Sequence, residues 1–156
     1  MKIAIYTDYD RRVINDLLFS QDLENNEYIY LKSALGKRGH EFHTLDVYQK
    51  QKIPIDICLY LDMPKKKINT SVKGDEKKFL YIRENENIIP INYNTLRHSE
   101  FDKILTWSTE LASIGTKYIY TTPTILKTSN LYNSIPFHDK KFLVMVQSNL
   151  YNSQSG

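Results

Sequence analysis

Residues 77–107 read KKFLYIRENENIIPINYNTLRHSEFDKILTW. The apolar run Phe79-Leu80-Tyr81-Ile82 predicts a strand. It ends in two carboxylates one residue apart, Glu84 and Glu86. A loop broken by Pro90 follows, and Phe101 to Thr106 predicts the next strand, capped by Trp107. Carboxylates just past the C-terminal end of a strand sit where open α/β sheets place their chemistry. Glu84 and Glu86 are therefore the first candidates for acid–base work.

The same reading extends in both directions. Lys2 to Thr7 predicts a buried first strand, followed by the polar loop Asp8 to Arg12. Val13, Ile14, Leu17 and Leu18 predict a helix over 13–20, and Tyr28, Leu31, Ala34 and Leu35 a second over 28–37, ended by Gly36 or Gly39. Further strands are expected over 42–47, 55–61, 117–121 and 141–146. Lys65 to Lys77 reads as an exposed excursion. Ser108 to Ile114 reads as a short helix capped by Ser108 or Thr109. Strands and helices at this spacing imply parallel pairing through right-handed crossovers. The expected fold is an α/β, Rossmann-like layer with a mostly parallel sheet and flanking helices.

The chain has 156 residues, enough for a single core. Its 41% hydrophobic and 25% charged residues fit a soluble globular domain. The net charge is only +3, and the lysines are spread out, which argues against nucleic acid as a partner. Cys58 is the single cysteine, so no intrachain disulfide forms, and its apolar surroundings predict a buried core thiol. No apolar run is long enough for a transmembrane segment. A reducing, cytoplasmic setting is the default expectation.

Several chemistries lack their residues. The first turn, Thr7-Asp8-Tyr9-Asp10-Arg11, has no glycine and two carboxylates that would repel a pyrophosphate. His40, His43, His98 and His138 are scattered, with no metal-binding pair on a helix. No glycine elbow surrounds a serine. Asp8, Asp10 and Asp62 each follow an expected central strand and should converge at the carboxyl edge of the sheet. That convergence resembles a phosphoacceptor receiver domain. The Met63-Pro64 pair follows Asp62 too closely, however, and the later hydroxyl and lysine are not evident.

A more extensive resemblance begins at Glu84. The segment Glu84-Asn85-Glu86-Asn87-Ile88-Ile89-Pro90-Ile91-Asn92-Tyr93 is similar to the E-x-E-x-I-x-P-x-N-W of bacterial α-1,3/1,4-fucosyltransferases, glycosyltransferase family 10. Phe101 to Trp107, FDKILTW, resembles their F-D-K-I-F-T-W. Lys117-Tyr118-Ile119 is similar to K-Y-x-K. Lys140 to Asn149 resembles K-K-L-C-x-x-I-A-G-N, with Ser148 in place of the glycine. Toward the front, Tyr30 to Lys32 and Leu35 to Asp46 resemble L-K-x-x-L-x-x-x-G-H-E-V-H-T-I-D, and Ile57 to Pro64 resembles I-x-F-L-D-I-P. The likeness covers most of the chain. The E-x-E, P-x-N and FDKI-x-TW series is its most particular part.

The resemblance implies the N-terminal half of a GT-B arrangement. Residues 1–139 would be the acceptor-binding domain, and 140–156 the last strand and the start of an interdomain linker. The missing C-terminal donor domain would be the partner, and GDP-fucose the donor substrate. The acceptor would be a glycan of lipopolysaccharide or capsule type, with the enzyme in the cytoplasm or peripheral to the inner face of the membrane. The chain alone should be inactive. Inverting transfer needs a base for the acceptor hydroxyl. Glu84 or Glu86 would supply it, with alternation placing both on one side of an extended segment. Asn92, Tyr93 and Trp107 would line the acceptor cleft, although Trp107 also reads as core, and Arg83 would meet an anion or lie on the surface. The alternative is a non-catalytic Rossmann-like module that binds carbohydrate or a partner protein.

Overall fold

The computed structural model describes residues 1–20, 27–66 and 75–122, all within one compact unit, Met1–Leu126. Among the described residues, six strands form one all-parallel sheet: β1 (Lys2–Tyr6), β2 (Glu41–Thr44), β3 (Ile57–Leu61), β4 (Lys77–Ile82), β5 (Lys103–Thr106) and β6 (Tyr118–Tyr120). Their order across the sheet is β2-β1-β3-β4-β5-β6. The helices are α1 (Glu27–Gly36), α2 (Leu45–Gln51) and α3 (Thr109–Ala112), with single 3-10 turns at Leu17–Phe19, Pro90–Tyr93 and Arg97–Glu100. The Rossmann-like α/β architecture expected from the sequence is present. The expected strand at 141–146 and the linker at 140–156 lie outside the described residues.

The core follows from strand alternation. One face presents Ala4, Cys58, Tyr60, Leu80, Ile82 and Ile104 to Leu45 and Tyr48 of α2 and Leu111 of α3. The other presents Ile3, Ile5, Phe42 and Leu61 to Leu18 and to Tyr28 of α1. Leu80 and Ile104 are neighbours on adjacent strands and wholly buried. Leu80→Ala should therefore cost about 3 kcal/mol, a cavity in a site hemmed in by paired strands. A urea midpoint within experimental error of the parent would contradict that placement. Cys58 is wholly buried as expected, and burial pushes its thiol pKa up to about 12.

Two local expectations are corrected. The helix expected at 13–20 is only the turn Leu17–Phe19. Asn15 and Asp16 have φ of 50° and 60°, outside the α region. Tertiary bonds hold them there. Thr44 donates its backbone N–H to Asp16 Oδ1 at 2.7 Å, and the Asn15 N–H donates to both oxygens of Asp46 at 3.0 Å. The strand expected over 42–47 ends at Thr44, and Leu45 starts α2. Leu45 and Tyr48, three apart, are the buried face of that helix. A parallel β2-to-β3 passage requires such a crossover. Elsewhere the pattern holds: α1 ends at Gly36, and the Ser108 hydroxyl caps α3 by accepting from the Leu111 N–H at 3.2 Å.

Candidate functional site

The strand order reverses between β1 and β3, so a ligand crevice is expected beyond their carboxyl ends. Here the two loops bind each other. The Tyr9 hydroxyl donates to the Met63 carbonyl at 3.1 Å, and the Lys65 N–H donates to Asp8 Oδ2 at 2.7 Å. Asp8 also accepts from the Tyr6 hydroxyl, and Asp10 pairs with Arg12 at 2.6 Å. That pairing holds the Asp10 carboxyl below its usual pKa, with the Arg12 hydrogen bond the largest cause. The three expected acids do follow neighbouring strands, yet each is engaged separately. No group of three or more His, Cys, Asp or Glu among the described residues is placed to hold a metal ion.

Asp62 organises the next part of the edge. It follows β3 with φ of 62° and is 1% exposed. Asp is among the few residues that visit this left-handed region readily. Its Oδ1 accepts from the Arg83 N–H at 2.8 Å, the Glu84 N–H at 3.1 Å and Asn92 Nδ2 at 2.8 Å. Its Oδ2 faces Arg83 Nε at 3.3 Å. A carboxylate so enclosed is closed to solvent, which removes the receiver-like role. It acts instead as the anchor for the chain leaving β4.

Asn92 completes that anchor. Its Oδ1 accepts from the Met63 N–H at 2.7 Å, and its Nδ2 also donates to the Glu84 carbonyl at 3.2 Å. The side chain is wholly buried and bonded at both ends. The expectation that Asn92 lines an acceptor cleft is corrected: it positions the Glu84 segment from within. Arg83 reaches sideways, donating from Nη1 to the Tyr28 hydroxyl of α1 at 2.7 Å. Burial opposes the Arg83 charge, but Tyr28 and Asp62 outweigh it and hold the guanidinium above its ordinary pKa. Trp107 is half-buried, and its indole N–H donates to the Arg83 carbonyl at 3.1 Å. Tyr93 packs half-buried against the core, which raises its hydroxyl pKa.

Glu84 lies in a bend and is half-exposed. Its backbone is fixed by Asp62 and Asn92, and its carboxylate has no hydrogen-bond or ion-pair partner among the described residues. Glu86 is exposed and opens a turn, in which Asn85 Oδ1 accepts from the N–H groups of Asn87 and Ile88 at 3.0 and 3.2 Å. The segment is not extended, so alternation does not place the two glutamates on one side. Only Glu84 belongs to the anchored edge.

His98 supports this edge from beneath. It is 1% exposed, with Nε2 bonded to the Asn92 carbonyl at 2.8 Å and Nδ1 to the Tyr118 hydroxyl at 3.0 Å. The first bond requires Nε2–H, which leaves Nδ1 to accept from Tyr118. Burial lowers the pKa of His98 from its usual value. The unfolded chain therefore takes up this proton first. Stability is complete above about pH 6.5 and falls as pH drops from there toward the folded pKa, by at most about 1.4 kcal/mol per pH unit. His98→Gln should flatten that part of the pH–stability curve. An unchanged acid slope in the variant would show that another group causes it.

Comparison with protein-family models, curated proteins and solved structures gives no match. Sequence reading singled out Glu84, Arg83, Asn92 and Trp107, and hydrogen bonds link all four. It missed Asp62 as their anchor and His98 as its support. The available signal was an aspartate directly after a strand, followed some twenty residues later by N–H groups at the next strand end.

Proposed function

We propose that this domain binds a glycan acceptor at the carboxyl edge of β3 and β4 and supplies Glu84 as the base of an inverting glycosyl transfer. The supporting observation is the Glu84 carboxylate itself. It is half-exposed and without a described partner, on a backbone fixed by the buried Asp62 and Asn92. A base needs this combination: a free carboxylate and a fixed position. The sequence likeness to family 10 fucosyltransferases supports GDP-fucose as the donor, held on a second domain. Glu86 sits in an exposed turn and has no comparable support. Tyr93 and Trp107 are half-exposed and available to contact a sugar.

The fold also serves binding modules. The test combines this chain with the donor domain of a family 10 enzyme, GDP-fucose and an N-acetyllactosamine acceptor. Transfer that depends on both halves supports the reading. Acceptor binding with no turnover in any such mixture would favour the non-catalytic module.

A further inference from the structure

A second feature of the domain does not have Glu84 in its lining. Between α1 and the strands β3 and β4 is a cavity of about 390 Å³. That is within the roughly 300–1,000 Å³ range of small-molecule pockets. Leu31 and Ala34 of α1 form one wall, Leu59 and Tyr81 of the sheet the other, and Arg83 joins the lining beside Tyr28. The cavity follows from the topology. With right-handed crossovers, α1 leads outward from β1 to β2, while α2 and α3 pack on the opposite face of the sheet. The described helices thus cover β3 and β4 incompletely on this side, and Leu59 and Tyr81 remain half-buried.

The cavity is apolar except for Glu27 and a small group of donors. Arg83 uses Nε for Asp62 and Nη1 for Tyr28, and its Nη2 donates to no described residue. The Tyr81 hydroxyl also has no hydrogen-bond partner among the described residues. Tyr81 precedes Arg83 by two positions at the end of β4, which puts both on one face. Two unused donors beside an apolar slot match a carboxylate on an apolar body. Glu27 also lines the cavity, and its repulsion grows with the charge of a ligand, so a single carboxylate is less opposed than a phosphate monoester. We propose that this cavity binds a small monocarboxylic acid, with its aliphatic or aromatic body between α1 and the sheet and its carboxylate against Arg83 Nη2 and the Tyr81 hydroxyl.

The purified chain is titrated by NMR with hexanoate and 3-phenylpropionate, and with the corresponding alcohols and amines. At least one acid should bind at millimolar concentration or below and shift the Leu31, Leu59 and Tyr81 signals. Its alcohol should bind about tenfold more weakly, the difference expected for losing a charge-assisted hydrogen bond. Ala34→Phe places a ring in the cavity while leaving the Arg83 and Tyr81 side chains unchanged, and should abolish binding while the spectrum stays dispersed. Tyr81→Phe should weaken the acid and leave the alcohol unchanged. Equal or tighter binding of the alcohol or amine would overturn the proposal. So would shifts outside the cavity, undiminished binding by the Ala34→Phe chain, or no binding by either acid. None of these readouts requires transferase activity, so they are independent of the role of Glu84.

Discussion

Asp62→Ala should destabilise the domain by about 3–5 kcal/mol, the usual cost of removing one partner from a buried charged network. Three donors lose their common acceptor: the N–H groups of Arg83 and Glu84, and Asn92 Nδ2. The Arg83 guanidinium loses its carboxylate at the same time. A domain of this size has only about 5–15 kcal/mol in total, so the loss is a large fraction of it. Asp62→Asn should be milder, at about 2 kcal/mol. Its oxygen still accepts from two backbone N–H groups, but its amide nitrogen then faces another donor. Asp8→Ala is the control. That side chain is exposed and should cost below about 1 kcal/mol. Urea unfolding of the three variants decides the matter. An Asp62→Ala midpoint equal to that of Asp8→Ala would mean that Asp62 does not anchor this edge.

Glu84→Gln should reduce transfer by about 10²–10⁴-fold in a preparation that also contains the donor half, the range for losing a general base. Glutamine keeps the size and the backbone bonds, so acceptor affinity and urea midpoint should hold. Glu86→Gln should change turnover only a few-fold, because its exposed turn gives a carboxylate no fixed position. The contrast between the two variants carries the information. Equal losses would point to a shared electrostatic effect, and unchanged turnover in both would remove the carboxylate base from the proposal.

The parallel sheet was legible because its strands are short apolar runs with polar ends. Residues Lys2–Tyr6, Ile57–Leu61 and Lys77–Ile82 all follow that rule. The failures came where side chains from distant segments decide the backbone. Val13 to Ser20 carries a helical pattern of apolar residues. Asp16 is nevertheless drawn into a left-handed conformation by Thr44, His43 and Lys32, and no local periodicity encodes that. Leu45 to Val47 looks like the continuation of a strand. The chain must turn there to cross over to β3, a requirement of topology rather than of composition.

The candidate site was half legible for the same reason. Glu84 stands out in the sequence because it follows a strand and stands in a motif, and its backbone is held at this edge by Asp62 and Asn92. Asn92 was found as well, but its role was inverted. A polar residue in a loop reads as a surface contact, and only the packed structure reveals that the loop folds back over Met63. Asp62 was seen as an isolated acid. Its function lies in the three donors that arrive from residues 83, 84 and 92, a relation between segments that spacing alone does not express.

The Asp62 hub has a further consequence for alignment during folding. Neighbouring parallel strands are separated by long crossovers, so β4 can meet β3 with an offset. An offset of one residue would turn Leu80 and Ile82 to the wrong face. It would also carry the Arg83 and Glu84 N–H groups away from Asp62 and strand a carboxylate in the interior. The apolar penalty and the electrostatic penalty would then fall on the same error. The native pairing of the two central strands is thus the register in which Asp62 keeps its donors and Leu80 and Ile82 stay buried.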